Sequence, residues 1–386
     1  MPAFSLFAVT VPGLEPFTTQ ELVDLGMLPA QTPAPPRAAG GVAFEGDPRA
    51  LYRANLHLRT ATRVLTRLGE FYAAAFSELR KKAARLPWES YLSPGQPVAI
   101  RTTCHKSKLY HSDAVAERVA GAIEDRLGQP SARRKPASDS DEAAPDAALV
   151  VVRLVHDLCT LSLDTSGAPL FQRGYRLATA KAPLRETLAA GLVLASGWDR
   201  RSPLLDPFCG SGTLPIEAAL LARNMAPGRA RHFAFMDWPG YDAALWARLL
   251  AEAEAARLGP PPRLLGSDRD AGAIAAAEAN AQRAGVAEAI EFTRCAVSSI
   301  APPPGRGWVV TNPPYGVRVS GSPELRNLYA RFGQVLRARC PGWQVAVLST
   351  EDRLLRSTGL AFEPEHNLAL MNGGLKVKLA RGVVPG

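Results

Sequence analysis

Three short stretches combine residue types that could do chemistry together: "DPFCGSGT" (206–213), "SDRD" (267–270) and "NPPY" (312–315). The last is the most specific. The nitrogen of an exocyclic amine or an amide is a poor nucleophile, because its lone pair is delocalised into the ring or carbonyl. The side-chain carbonyl of Asn312 and the backbone carbonyl of Pro313 can accept its two N–H bonds, leaving the lone pair aimed at an electrophile. Pro313 and Pro314 stiffen that backbone, and Tyr315 offers a face on which a planar base can stack. An Asn-Pro pair also ends many strands as a plain turn. In "DPFCGSGT" the Asp206 carboxylate suits a ligand ammonium, while Gly210 and Gly212 let the backbone turn tightly before a helix that starts near Thr213. Pro215 stands where a dinucleotide fingerprint would carry its third glycine. Asp268 could accept hydrogen bonds from two ribose hydroxyls; alternatively, it or Asp270 caps the next helix. Each stretch has a bland reading, and it is their order along one chain that favours the functional one.

These residues need elements to position them. After Thr179 apolar strands alternate with helices: "SPLLDPF", "PRLLGSD", "AIEF", "GWVVTN" and "WQVAVLST" read as strands, with "TLPIEAALLARN", "AGAIAAAEANAQRAG" and "PELRNLYARFGQVLRARC" as helices. Such alternation predicts a parallel, doubly wound sheet covered on both faces, with the three motifs at strand ends. The wide stretch from Asn224 to Pro262 reads as an insertion near the substrate cleft. Upstream the pattern is of small α+β modules: "FSLFAVTV" and "GVAFEG" as strands, "GLEPFTTQELVDLG" as a helix. "DPRALYRANLHLRTATRVLTRL" reads as one long helix capped by Asp47, with Arg59, Arg63 and Arg67 on a solvated face. Residues 29–41 and a Pro/Ser/charge-rich insertion near 129–148 read as loops.

Composition sets the outer bounds. The 386 residues, 47% of them hydrophobic, suffice for two or three domains, and a formal net charge of +9 favours a polyanionic partner. No apolar run is long enough for a membrane helix and the N-terminus lacks a signal-peptide pattern, so a cytoplasmic location is expected. Five scattered cysteines without a C-x-x-C pair suggest free thiols and no metal site. Cys209, inside the glycine turn, reads as structural rather than as a nucleophile. "RTTCHKSKLYH" (101–111) concentrates Arg101, His105, Lys106, Lys108 and His111 without an acid, beside Tyr110 for stacking, and "FQRGYR" adds Arg173 and Arg176. Together they read as a candidate RNA-binding surface.

"DPFCGSGT", "GSDRD" and "NPPYG" resemble the class I S-adenosylmethionine-dependent amino-methyltransferases. The wider set of "RGYR", "KAPLRETLAAGLV", "IEAALLARNMAPG", "FAFMDW", "TNPPYGVR" and "NGGLKVKL", extended upstream through "GVAFEGDPRALYRANLHLRTATRVL" and "LSLDTSG", resembles the THUMP-containing RNA guanine-N2 methyltransferases of the 23S rRNA, RlmL-type group. The resemblance implies an α/β fold: a ferredoxin-like piece (1–56), a THUMP-like RNA-binding domain (57–174) and a Rossmann-like methyltransferase domain (175–386). It implies that Asp206, Gly210 and Gly212 contact the methionine part of S-adenosylmethionine and Asp268 its ribose. Phe208, Ser211, Thr213, Arg269 and Ala296 would line the same site, Pro183, Leu184 and Thr187 would close it, and Asn312 to Tyr315 would hold the target base. Two positions depart from the pattern. Cys295 and Ala296 stand where relatives carry an acidic residue for the adenine amine, so backbone groups would take that role, and Thr187 stands where asparagine is frequent.

The implied reaction is in-line methyl transfer to guanine N2, in 23S rRNA or alternatively in tRNA. The clamp alone would equally serve adenine N6 or a protein glutamine N5, and a non-catalytic RNA-binding assembly factor would preserve the same fold.

Overall fold

Two seven-stranded sheets carry the chain, one in each half. The computed structural model describes residues 3–36, 39–135, 147–177, 184–315 and 323–386. Pro183 lies outside the described residues, as does most of the insertion near 129–148.

In the first half β1 (Phe4–Thr10), α1 (Glu15–Asp24), β2 (Gly41–Gly46), α2 (Pro48–His57) and β3 (Ala61–Tyr72) are followed by α3 (Phe76–Ala83), β4 (Val98–His105), α4 (Ser112–Leu127), β5 (Arg133–Arg134), β6 (Ala148–Val155) and β7 (Leu158–Asp164). The strand order is β2-β1-β3-β7-β6-β4-β5, so β3 pairs with β1 on one edge and β7 on the other and makes a single continuous sheet. Asp47 caps α2, accepting from Ala50 N at 2.8 Å, with Pro48 in the first turn.

The long helix expected from Asp47 onward is corrected here: it stops at His57, and residues 61–72 form a strand. Thr62, Val64 and Thr66 are β-branched and alternate with period two, which suits a pleated strand better than a helix. The three arginines are not a solvated face either. Arg59 is 7% exposed, Arg63 pairs with Asp164 and Arg67 lies over the Phe7 ring at 4.7 Å.

The second half runs α5 (Glu186–Ala195), β8 (Leu204–Asp206), α6 (Thr213–Ala222), α7 (Ala243–Ala255), β9 (Leu264–Asp268), α8 (Ala271–Ala284), β10 (Ile290–Arg294), β11 (Trp308–Thr311), α9 (Pro323–Arg339), β12 (Gln344–Ser349), α10 (Asp352–Ser357), β13 (Leu368–Asn372) and β14 (Leu375–Val383). Its order is β10-β9-β8-β11-β12-β14-β13. The first five strands are parallel as expected, whereas β14 and β13 are antiparallel additions. A two-residue turn sets β13 and β14 antiparallel to each other: Gly373 and Gly374 both have positive φ, the geometry that joins a tight hairpin. All ten residues of α6 are buried, which is why its sequence is apolar around the whole circumference.

The stretch from Asn224 to Pro262 does not lie at the cleft as expected. Phe233, Phe235 and Trp246 from it pack into the core of the first half, where Phe235 stacks on Tyr52 at 4.3 Å and Tyr52 Oη accepts from Asp242 N at 2.9 Å. Flat aromatic area is the largest apolar surface available per residue, and here it joins the two halves.

Candidate active site

The chain leaves β8 toward β9 on one side and returns to β11 on the other, so the strand order reverses beside β8. A crevice opens at the carboxyl ends of the strands at such a point. Asp206 ends β8, Asp268 ends β9 and Thr311–Asn312 end β11, which brings the three motifs to one place.

Asp206 is 1% exposed, and its Oδ1 accepts from Thr311 Oγ1 at 2.6 Å and from Phe208 N at 3.1 Å. Burial pushes its carboxyl up to about 7; the bonds from Thr311 and Phe208 oppose that shift and the nearby Asp268 adds to it. A buried carboxylate without a counter-charge is a ready partner for a ligand ammonium. Asp268 accepts from Gly210 N at 3.1 Å on one oxygen and from Asp270 N at 3.0 Å on the other. Of the two candidate caps it is Asp270 that caps α8, through Ala273 N at 3.0 Å, so Asp268 is not used in that way.

The turn between β8 and α6 is held at both ends. Cys209 N donates to Ser267 O at 3.0 Å, and the buried Asn280 donates from Nδ2 to Ser211 O at 3.0 Å. Gly212 has φ +81°, and a Cβ there would stand 2.9 Å from Ala277 Cβ; one at Gly210 would point into open space. Ser211 and Thr213 are buried under the turn. Cys209 is 7% exposed and burial holds its thiol well above the usual range, which suits the structural role expected of it.

At the end of β11, Asn312 Oδ1 is buried and has no hydrogen-bond partner among the described residues. Pro313 is buried, while Pro314 is exposed and its carbonyl accepts from Tyr329 Oη at 3.4 Å. Tyr315 is half-buried and its hydroxyl accepts from Asn372 Nδ2 at 3.0 Å. Around the crevice, Leu184 is 6% exposed and Thr187 fully buried with Oγ1 unpartnered, and Phe208 lies edge-on to Phe332 at 5.4 Å. Arg269 and Ala296 are exposed at the rim; Ala296 O accepts from Ser299 N at 2.8 Å. The donor set fits S-adenosylmethionine: an uncompensated carboxylate for an ammonium, a second carboxylate for ribose hydroxyls, open space over Gly210, and unpartnered acceptors on Thr187 and Asn312.

Thr311, Asn280 and Asn372 were not anticipated. Asn280 could have been found as the one amide on an alanine-rich helix face, and Asn372 from the Asn-Gly-Gly hairpin signal.

Of the residues expected to contact RNA, His105, Lys106, Lys108, Tyr110 and His111 are exposed together where β4 ends, with Tyr110 68% exposed and its ring 4.1 Å from that of His111. Arg101 is half-buried further back on β4. Two expected RNA contacts are corrected. Arg173 is 4% exposed and pairs with Glu217 at 2.9 Å, and Arg176 pairs with the buried Glu186 at 3.0 Å. Both guanidiniums tie the inter-sheet segment to α5 and α6, and a buried cation so engaged is unavailable to a phosphate.

The chain matches the family described as RMKL-like, methyltransferase domain over residues 173–384, an RlmL ferredoxin-like domain over 5–65 and a THUMP domain over 73–164. It is 38% identical over 386 residues to "Ribosomal RNA large subunit methyltransferase K/L" of Syntrophotalea carbinolica, covering 97% of this chain and 52% of that one, so it spans about half that relative's length. It is also 38% identical over 380 residues to the Synechocystis sp. protein slr0064, covering 97% of this chain and 95% of that one. Among solved structures, SMU.472, complexed with SAH, is 29% identical with a TM-score of 0.85 over 99% of this chain and 98% of that one. A Listeria monocytogenes protein described as an N6-adenine-specific DNA methylase is 35% identical with a TM-score of 0.85, over 99% and 96%. With the ferredoxin-like, THUMP and Rossmann-like methyltransferase parts matched in order along one chain, the protein belongs to the RMKL-like methyltransferase family.

Proposed function

We propose that the protein is an S-adenosylmethionine-dependent RNA methyltransferase acting on the exocyclic N2 amine of a guanosine, with large-subunit ribosomal RNA as the favoured substrate. The observation that carries this reading is Asn312 Oδ1, a buried acceptor without a partner at the end of β11, beside the two carboxylates. An unmet buried acceptor costs free energy unless a ligand satisfies it, and an amine N–H is the complement it lacks. The THUMP match and the name of the K/L relative support RNA as the substrate class.

Bound S-adenosylmethionine supplies an already activated sulfonium methyl group. The chain's own residues then bind and orient. Asp206 takes the ammonium, Asp268 the ribose hydroxyls and the backbone near Ala296 the adenine, while Leu184 and Thr187 close the site. Asn312 Oδ1 and the Pro313 carbonyl accept the two amine protons, which aims the nitrogen lone pair, and Tyr315 supports the base by stacking. No strong base is required, because an alkylated amine is acidic enough to lose its proton to water.

Nucleoside mass spectrometry of ribosomal and transfer RNA from a deletion strain tests the reading. Loss of N2-methylguanosine from large-subunit RNA is expected. Loss from transfer RNA would move the substrate, and loss of N6-methyladenosine, the RNA counterpart of the DNA adenine methylation in the Listeria relative's name, would overturn the guanine assignment. In vitro, Asn312→Ala is expected to lower turnover about 100-fold while leaving the SAH dissociation constant nearly unaltered.

A further inference from the structure

Tyr315 lies four residues beyond the end of β11, yet its hydroxyl is held from a different element. Asn372, the last residue of β13, donates from Nδ2 to Tyr315 Oη at 3.0 Å, the only side-chain hydrogen bond of Tyr315 among the described residues. The donor is rigidly mounted. Gly373 and Gly374 close the turn in the left-handed region, Asn372 stands opposite Leu375 in register, and Leu370, two residues back, is 3% exposed in the core of the methyltransferase half. The Tyr315 ring packs against two apolar clusters, one around α6 and one around α9.

A stacking platform works only if its plane is fixed, since productive alignment tolerates roughly 0.5 Å and 10–20°. Packing limits the ring near its Cβ, and a hydrogen bond at the phenol oxygen acts at the far end of the side chain, where it restrains tilt most. Burial pushes the Tyr315 phenol up and the Asn372 bond opposes this, as expected for an engaged neutral hydroxyl.

We propose that Asn372 is a positioning residue for the target base: by anchoring the Tyr315 hydroxyl from the β13–β14 hairpin, it sets the plane of the ring on which the base stacks. The inference rests on reading Asn312–Tyr315 as the base clamp. Asn372 itself touches neither cofactor nor base in this role, so its effect runs through Tyr315 and falls on turnover rather than on cofactor binding.

The experiment is a double-mutant cycle on the full chain, with RNA from a deletion strain and methyl-tritiated S-adenosylmethionine as substrates, and SAH titration and thermal melting alongside. Asn372→Ala is expected to lower kcat about five- to tenfold with SAH affinity unchanged and with no larger fall in melting temperature than Tyr315→Phe, since each removes the same bond. Tyr315→Phe should lose a similar factor in kcat, and the double variant should be no worse than either. Asn372→Asp, which can accept the phenol proton, should recover most of the loss. Losses that multiply in the double variant would overturn the proposal, and so would a parallel fall in SAH affinity or a melting temperature well below that of Tyr315→Phe, which would make Asn372 a purely structural residue. Wild-type turnover in Asn372→Ala while Asn312→Ala is crippled would reject Asn372 alone; wild-type turnover in Asn312→Ala would reject the clamp itself and the proposal with it.

Discussion

Asp206 shows how strongly a single residue's chemistry depends on its environment. Its carboxyl is buried beside a second carboxylate, and only Thr311 and Phe208 oppose the resulting upward shift to about 7. An acid whose folded value is raised above its unfolded one stabilises the fold at low pH. That contribution is complete below about 4 and is lost as pH rises through about 7. Ligand binding runs the other way, because an ammonium needs the ionised form. SAH affinity is therefore expected to rise about eightfold between pH 6 and 7.5, as the ionised fraction of a group titrating near 7 does. Asp206→Asn should bind more weakly and show a flat profile over that interval in calorimetric titration. A wild-type profile that is already flat would remove Asp206 from the ammonium contact. The positions of Asp206, Asp268 and Asn312 at the ends of neighbouring strands were legible because polar residues that close apolar runs are rare. Thr311 was not, because its partner lies 105 positions away and only the pairing of β8 with β11 brings them together.

Among the elements, the turn between β1 and α1 is the one through which the first half meets the hairpin that carries Asn372. Gly13 packs so closely on β13 that a Cβ there would lie 2.4 Å from Ala369 O and 2.9 Å from Leu370 Cδ2, and its φ is +104°. Leu14 beside it belongs to the methyltransferase core and lies against Gly191 of α5. Gly13→Ala should destabilise the protein by roughly 1–3 kcal/mol through overpacking and backbone strain. Thermal melting checks this, and an unchanged transition would show that the turn can move aside. At this scale the five parallel strands of the second half and α6, α8 and α9 were legible from apolar runs of the right length, whereas the β13–β14 hairpin was not. The β2–β3 region was harder: four-residue arginine spacing imitated a helix face, while the alternation of Thr62, Val64 and Thr66 carried the strand signal.

Across the whole molecule, the two sheets are joined by buried charge as well as by aromatic area. Arg173 pairs with Glu217 of α6 and donates to Arg59 O at 2.8 Å; Arg59 in turn donates to Met225 O at 2.8 Å, and Tyr175 Oη donates to Glu217 Oε1 at 2.8 Å. Burial lowers the Arg59 guanidinium to about 10, a measure of how far this junction is removed from water. Glu217→Gln would leave Arg173 buried without its counter-charge, at a cost of about 3–5 kcal/mol. Urea denaturation should show that loss, whereas a change below about 1 kcal/mol would mean that Arg173 escapes to solvent. The net charge of +9 is thus only partly a surface charge. Arginines that composition cannot tell apart divide between the surface and this junction.

By itself the sequence determined the five parallel strands of the second half and three of the helices between them, the family, and the residues that end those strands. Those features are local: hydrophobic period, glycine turns and short motifs act over a few residues. Tertiary structure alone decided that Arg173 and Arg176 are inter-sheet ties, that residues 224–262 join the halves rather than line the cleft, and that Asn372 reaches Tyr315 across 57 positions. Whether a guanidinium meets water or a buried carboxylate depends on which elements come to lie against it, and that is set by packing between distant segments.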